Sequence, residues 1–122
     1  MTSSSWWHHS TSYKGVGVWP TTEDFYKEFV AKEKADPDYV HASCAATGVV
    51  YQNAVERAGS IDKKKVRDAL ASTDITTFYG PIKFSANGMN QVRDLPLIQV
   101  QDKAIKVLAP ADIKNGDMTM IK

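Results

Sequence analysis

Residues 54–90 read AVERAGSIDKKKVRDALASTDITTFYGPIKFSANGMN, and within them the hydrophobic pattern changes its period. Up to Ala71 the apolar residues recur at helical spacing. After Asp74 they crowd into the short β-branched and aromatic runs ITTFYG and PIKFS, which predict strands. Gly59 is placed to close the first helix in a left-handed conformation, and Asp62 to cap the second through its side-chain oxygen. Asn87-Gly88 tolerates the positive φ of a hairpin connection, and Lys83 and Phe84 belong on opposite faces of the strand before it. A phosphate cradle is a poor account of the same glycines. It needs closely spaced glycines directly before a helix N-terminus, whereas Gly80 and Gly88 are far apart and strand-like sequence containing Pro96 follows them.

Upstream, YVHASCAATGVVYQNAVERAG predicts a helix over 40–58 with small or apolar residues on almost every side, the pattern of a helix buried between other elements. Before it, TTEDFYKEFVAKEKA predicts an amphipathic helix. Phe25, Phe29 and Val30 share a face, acidic residues occupy its first turn, lysines its last, and Thr21 or Thr22 is the cap. Residues 1–20 lack helical periodicity; 3–8 are expected to form a short strand and the rest a loop ending at an extended Trp19 before Pro20. Downstream, LPLIQVQ and AIKVLAP are expected strands. The chain thus divides into a strand and aromatic loop (1–20), helices (21–73), and strands with a C-terminal tail (74–122). The class is α/β, but helices precede strands where a complete doubly wound domain would alternate them, an order that suits the end of such a protein.

With 122 residues, 43% of them hydrophobic and 24% charged, the chain has the length and composition of one folded domain. A net charge of +1 supplies no field to draw in nucleic acid. The single cysteine, Cys44, excludes an internal disulfide framework and a Cys-based zinc site. MTSSSWWHHS has no basic region followed by an apolar run, so no export signal is expected within the chain, and no window approaches the ~20 apolar residues of a membrane span.

Few residues invite chemistry. His41 and Cys44 share a helix face, the spacing of a Cys-His nucleophile, but with small neighbours and no carboxylate one turn away to orient them; a structural cysteine and a boundary histidine are expected. His8, His9 and His41 are not expected to hold a metal, because adjacent histidines on a strand point to opposite faces. Trp6, Trp7, Tyr13 and Trp19 form an aromatic concentration with two readings: a core edge or interface, or the wall of an apolar cleft for a small ligand. Lys63, Lys64 and Lys65 are the solvated first turn of a helix.

The run from VERAGS through VRDAL to TFYGPIKF and its NG turn resembles the C-terminal part of type I periplasmic solute-binding proteins. These serve ABC transporters of the branched-chain amino acid (Leu/Ile/Val-binding) and amide groups. The likeness extends upstream through PDYVHASCAATGVVYQ and DFYKEFVAKEK to SSSWWH, and downstream to LPLIQVQDKAIKVLAP.

The resemblance implies a partial fold of that type, incomplete without an N-terminal lobe, whose cleft closes over a small solute before docking on a permease. It implies a non-enzymatic protein without cofactor, periplasmic or extracellular, anchored or secreted in its full-length form. The solute would be an amino acid or a related small acid or amide. Tyr39, directly after Pro37-Asp38, matches a position where the family often sets an aromatic ring against the ligand; Trp7 and His8 match a strand end near hinge and cleft. Self-association of the 122-residue chain is expected from its unpaired edges. The rival reading is a stand-alone sensing or interaction module reusing the half-fold.

Overall fold

The computed structural model describes residues 1–91 and 94–120. Along the chain run β1 (Thr2–Ser4), α1 (Thr22–Glu33), α2 (Tyr39–Ala58), α3 (Lys63–Ala71), β2 (Asp74–Thr77), β3 (Gly80–Lys83), β4 (Leu97–Gln101) and β5 (Ala104–Ala109), followed by a 3-10 turn at Ala111–Ile113. The class is mixed α/β, with the helices ahead of β2 to β5 as the sequence predicts.

Local capping chemistry explains the helix boundaries. Thr21 is the cap of α1: its Oγ1 accepts the Asp24 N–H at 3.1 Å while the Asp24 carboxylate accepts the Thr21 N–H at 3.1 Å, a reciprocal box. Thr22 is buried instead and donates its hydroxyl to the Phe78 carbonyl at 2.8 Å. Asp62 accepts from the Lys64 and Lys65 amides at 3.1 and 3.0 Å to start α3, and Gly59 closes α2 at φ 58°. Arg57 then staples α2 to the end of α3. Its guanidinium donates to the Ala69 carbonyl at 2.7 Å, Thr73 Oγ1 at 2.9 Å and Ser72 Oγ at 3.1 Å, a cation at a helix C-terminus.

Strands β1, β4 and β5 form one antiparallel sheet in the order β1-β4-β5; β2 and β3 form a separate antiparallel pair. The β2–β3 turn is Phe78-Tyr79, so Gly80 and Pro81 begin β3 and do not break it, a shift from the sequence reading. Burial is the cause, since Phe78 is wholly inside. The expected turn at Asn87-Gly88 is present: Gly88 has φ 83° and its N–H donates to Ser85 O at 2.8 Å, beside a bridge between Phe84 and Asn90.

The main core interlocks Trp7, Phe25, Phe78, Ala42, Ala46 and Val49. Phe25 and Phe78 stack with centroids 4.3 Å apart, and Trp7 and Trp19 meet them edge-on. Residues 3–8 are not one strand: β1 stops at Ser4, because Trp7 must leave the sheet line to enter this core, where its indole N–H donates to Phe78 O at 3.3 Å. The loop before α1 is laid flush on β2. Val16 N–H donates to Thr76 O at 2.8 Å, and a Cβ on Gly15 would sit 1.8 Å from that oxygen, so only glycine fits.

Helix α2 is not buried on all sides. It buries Ala42, Ala46, Val49, Val50 and Ala54, while Val40 and Tyr51 are exposed. Alanine and glycine carry so little apolar surface that a wheel rich in them overstates burial.

Candidate functional site

Trp7, His8 and His9 leave the sheet in a turn that faces α1 and the connection between α1 and α2, the connection that ends at Tyr39. Within the turn, Ser10 N–H donates to His8 Nδ1 at 3.1 Å, and Thr11 donates its amide and hydroxyl to the His8 carbonyl at 2.9 and 2.8 Å. The imidazoles do not alternate as on a strand. Their centroids lie 4.1 Å apart, and His9 stacks on Tyr26 of α1 at 4.3 Å and 20°. The Tyr26 hydroxyl donates to Asp36 Oδ1 at 2.8 Å, which raises the pKa of the phenol. Burial pushes His8 down to about 4, with His9 adding to the effect and Asp36 opposing it; burial lowers His9 as well, against Asp36. Both rings are therefore neutral at pH 7.

Tyr39 stands at the first position of α2, 47% exposed, and among the described residues makes no hydrogen bond or ring contact. Trp7 is 2% exposed, so its ring supports this corner from behind and is closed to a solute in this structure. His8 is half-buried between them in character. The structure thus brings His8 together with His9, Tyr26 and Asp36, and leaves Tyr39 free at the end of the same connection.

The four aromatics near the N-terminus separate. Trp7 and Tyr13 are buried and Trp6 is exposed; Trp19 lines a cleft of about 310 Å³ between α1 and α2, with Phe25, Phe29, Val40, His41 and Cys44. Trp19 Nε1–H donates to Glu28 Oε2 at 2.7 Å. A second cleft, about 320 Å³, runs between α2 and the β2–β3 hairpin, where Tyr51, Tyr79, Ile82 and Phe84 supply the walls.

His41 and Cys44 are both exposed, contrary to the structural cysteine the sequence predicts, because α1 leaves an open cleft beside them instead of covering them, although the His41 ring meets Phe29 edge-on at 5.0 Å. A carboxylate does lie one turn before His41: Asp38 Oδ1 is 2.7 Å from Nδ1. That carboxylate is committed to capping α2, accepting the Val40 and His41 amides at 2.9 and 3.0 Å; the His41 amide is the main cause of its lowered pKa. Among the described residues no hydrogen bond joins His41 to Cys44, and no cluster of three or more His, Cys, Asp or Glu is placed to hold a metal.

Residues 2–104 match the periplasmic binding protein family. The chain belongs to that family, in its type I branch. No solved structure matches it. Membership makes it a binder of small-molecule solutes of periplasmic type, a family that is typically non-enzymatic.

His9, Tyr26 and Asp36 were missed in the sequence of this periplasmic binding protein. The paired histidines were visible, but their partners on α1 and after it are distant in sequence, and no local spacing ties them together.

Proposed function

We propose that this periplasmic binding protein takes an amino acid or a related small acid or amide, as the solute-binding component of an ABC uptake system. The observation that carries the reading is the family match, which spans nearly all the described elements. Tyr39 supplies an open ring to the solute, His8 a neutral, half-buried imidazole in the turn, and Trp7 the buried backing that holds the turn in place. Binding proceeds by closure, because a solute that touches two surfaces favours the state in which both are engaged. In the longer protein implied by the resemblance, the closed form would present itself to the permease. The chain by itself then binds more weakly than a two-lobed protein and associates with itself, since part of the contact set lies elsewhere.

Calorimetry against a panel of amino acids, small carboxylates and amides tests this. A ligand should emerge, and Tyr39→Ala should weaken it by roughly tenfold to a hundredfold, the loss of about 1 to 3 kcal/mol of aromatic contact. The melting temperature should hardly move, because Tyr39 packs against little. An unchanged affinity removes Tyr39 from the site.

A second reading, a stand-alone sensing or interaction module, is favoured by one feature. The chain closes an aromatic core of its own around Phe25 and Phe78. A monomer by light scattering that binds at micromolar strength would select it.

A further inference from the structure

The turn at His8 and His9 joins two parts of the molecule. It follows β1, sends Trp7 into the core among the helices, and is tied on its other side to the segment after β5, where Asn115 Nδ2 donates to Ser10 O at 2.9 Å. Its internal geometry depends on a proton. Ser10 N–H can donate to His8 Nδ1 only while that nitrogen carries no hydrogen; protonation would set one N–H against another. The ring stack works in the same direction, since a charge on His8 would lie 4.1 Å from an imidazole that is itself withdrawn from water.

We propose that this turn is an acid-operated latch at the junction between the three-stranded sheet and the helices, held shut by neutral imidazoles and released by protonation of His8. On its own segment the groups concerned are His8 and His9. Facing them are Tyr26 and, in the cleft His9 also lines, Glu23 from α1; Lys14 lines that cleft too, and Asp36 stands at the α1–α2 connection. Asp36 is the acid that acts on both imidazoles, so it is the group toward which a His8 imidazolium is drawn once it leaves the Ser10 amide. Burial keeps His8 neutral until about pH 4, so the latch stays shut through neutral and mildly acid conditions. The inference rests on the turn's geometry and holds whichever solute the protein binds.

The test is a pH titration of the whole 122-residue chain by NMR from pH 7.5 to 3.5. It follows the His8 ring, the Ser10 amide and the Trp7 indole N–H. The His8 ring and Ser10 amide should shift together, with a midpoint far below 6.5, while the Trp7 indole signal persists because the core remains closed. His8→Asn keeps an acceptor near the Nδ1 position but cannot be protonated there. In that variant the Ser10 amide should hold its position to about pH 4. The proposal fails if His8 titrates near 6.5, if the Ser10 amide ignores the titration, if it moves equally in His8→Asn, or if the Trp7 signal is lost at the same midpoint. Should His8→Asn not fold, the titration of the unaltered chain decides alone.

Discussion

The two halves of this protein close in different ways. Around α1, α2 and the β2–β3 hairpin the interior is a set of interlocked rings, with Phe78 at the centre and wholly buried. Around β1, β4 and β5 a buried amide does much of the joining. Gln99, 4% exposed, donates through Nε2 to Thr2 Oγ1 and Thr119 O, each at 3.0 Å, and accepts through Oε1 from the Thr119 amide at 2.9 Å and from Gln101 at 2.6 Å. The apolar cluster there is smaller: Tyr13, Val107 and Ile113, with Ile98 against it. Ring burial contributes a large, non-directional free energy, whereas each hydrogen bond contributes little net but fixes a register. The family match covers the aromatic half together with β1 and β4 of the other, and ends at the start of β5.

If that contrast is right, Phe78→Ala should be the most damaging change, costing about 3 to 5 kcal/mol as the stacked and edge-on rings lose their common partner. Urea denaturation would show it, and a loss under 1 kcal/mol would mean that the rings are not the main support. Gln99→Ala should cost about 1 to 3 kcal/mol, because its part-buried hydrogen bonds to Thr2, Gln101 and Thr119 are lost together. Hydrogen exchange should rise in β1 and the tail while α2 stays protected; uniform loosening would erase the distinction between the halves.

Acid should act at the boundary. The folded-state pKa of His8 lies below its ordinary value, so the unfolded chain takes up the proton more readily. Its contribution is complete above about pH 6.5 and is lost as pH falls toward 4. The ring is only half-buried, which discounts the effect to about 1 kcal/mol. Thermal melts across that range check it, with His8→Asn expected to flatten the decline. The smallest effect belongs to the β4–β5 turn. There Asp102 and Lys103 both have positive φ, 49° and 65°, and Lys103→Gly should stabilise by about 0.5 to 1 kcal/mol by relieving the left-handed lysine. A drop in melting temperature would count against that account of the turn.

Much of the fold was legible because its causes are local. A helix cap such as Asp62 depends on amides two and three residues ahead, the closure at Gly59 on one residue's tolerance of positive φ, and the Asn87-Gly88 turn on the same tolerance. Tyr39 at the head of α2 was legible for the same reason, since the Asp38 cap that starts the helix sits beside it. What the sequence by itself determined, then, was the order and type of the elements and the family.

Tertiary structure alone decided which side of each element met another. Trp7 and Phe78 are hydrogen-bonded across most of the chain, and that contact shortens β1, moves the hairpin turn to Phe78-Tyr79 and withdraws the Trp7 ring from solvent. The His8, His9, Tyr26 and Asp36 corner arises in the same way, from rings and a carboxylate on three separate segments. Periodicity records which residues share a face of one element. It holds no term for which neighbour arrives at that face, so an outward Cys44 and an inward Trp7 became distinguishable only when the chain was packed.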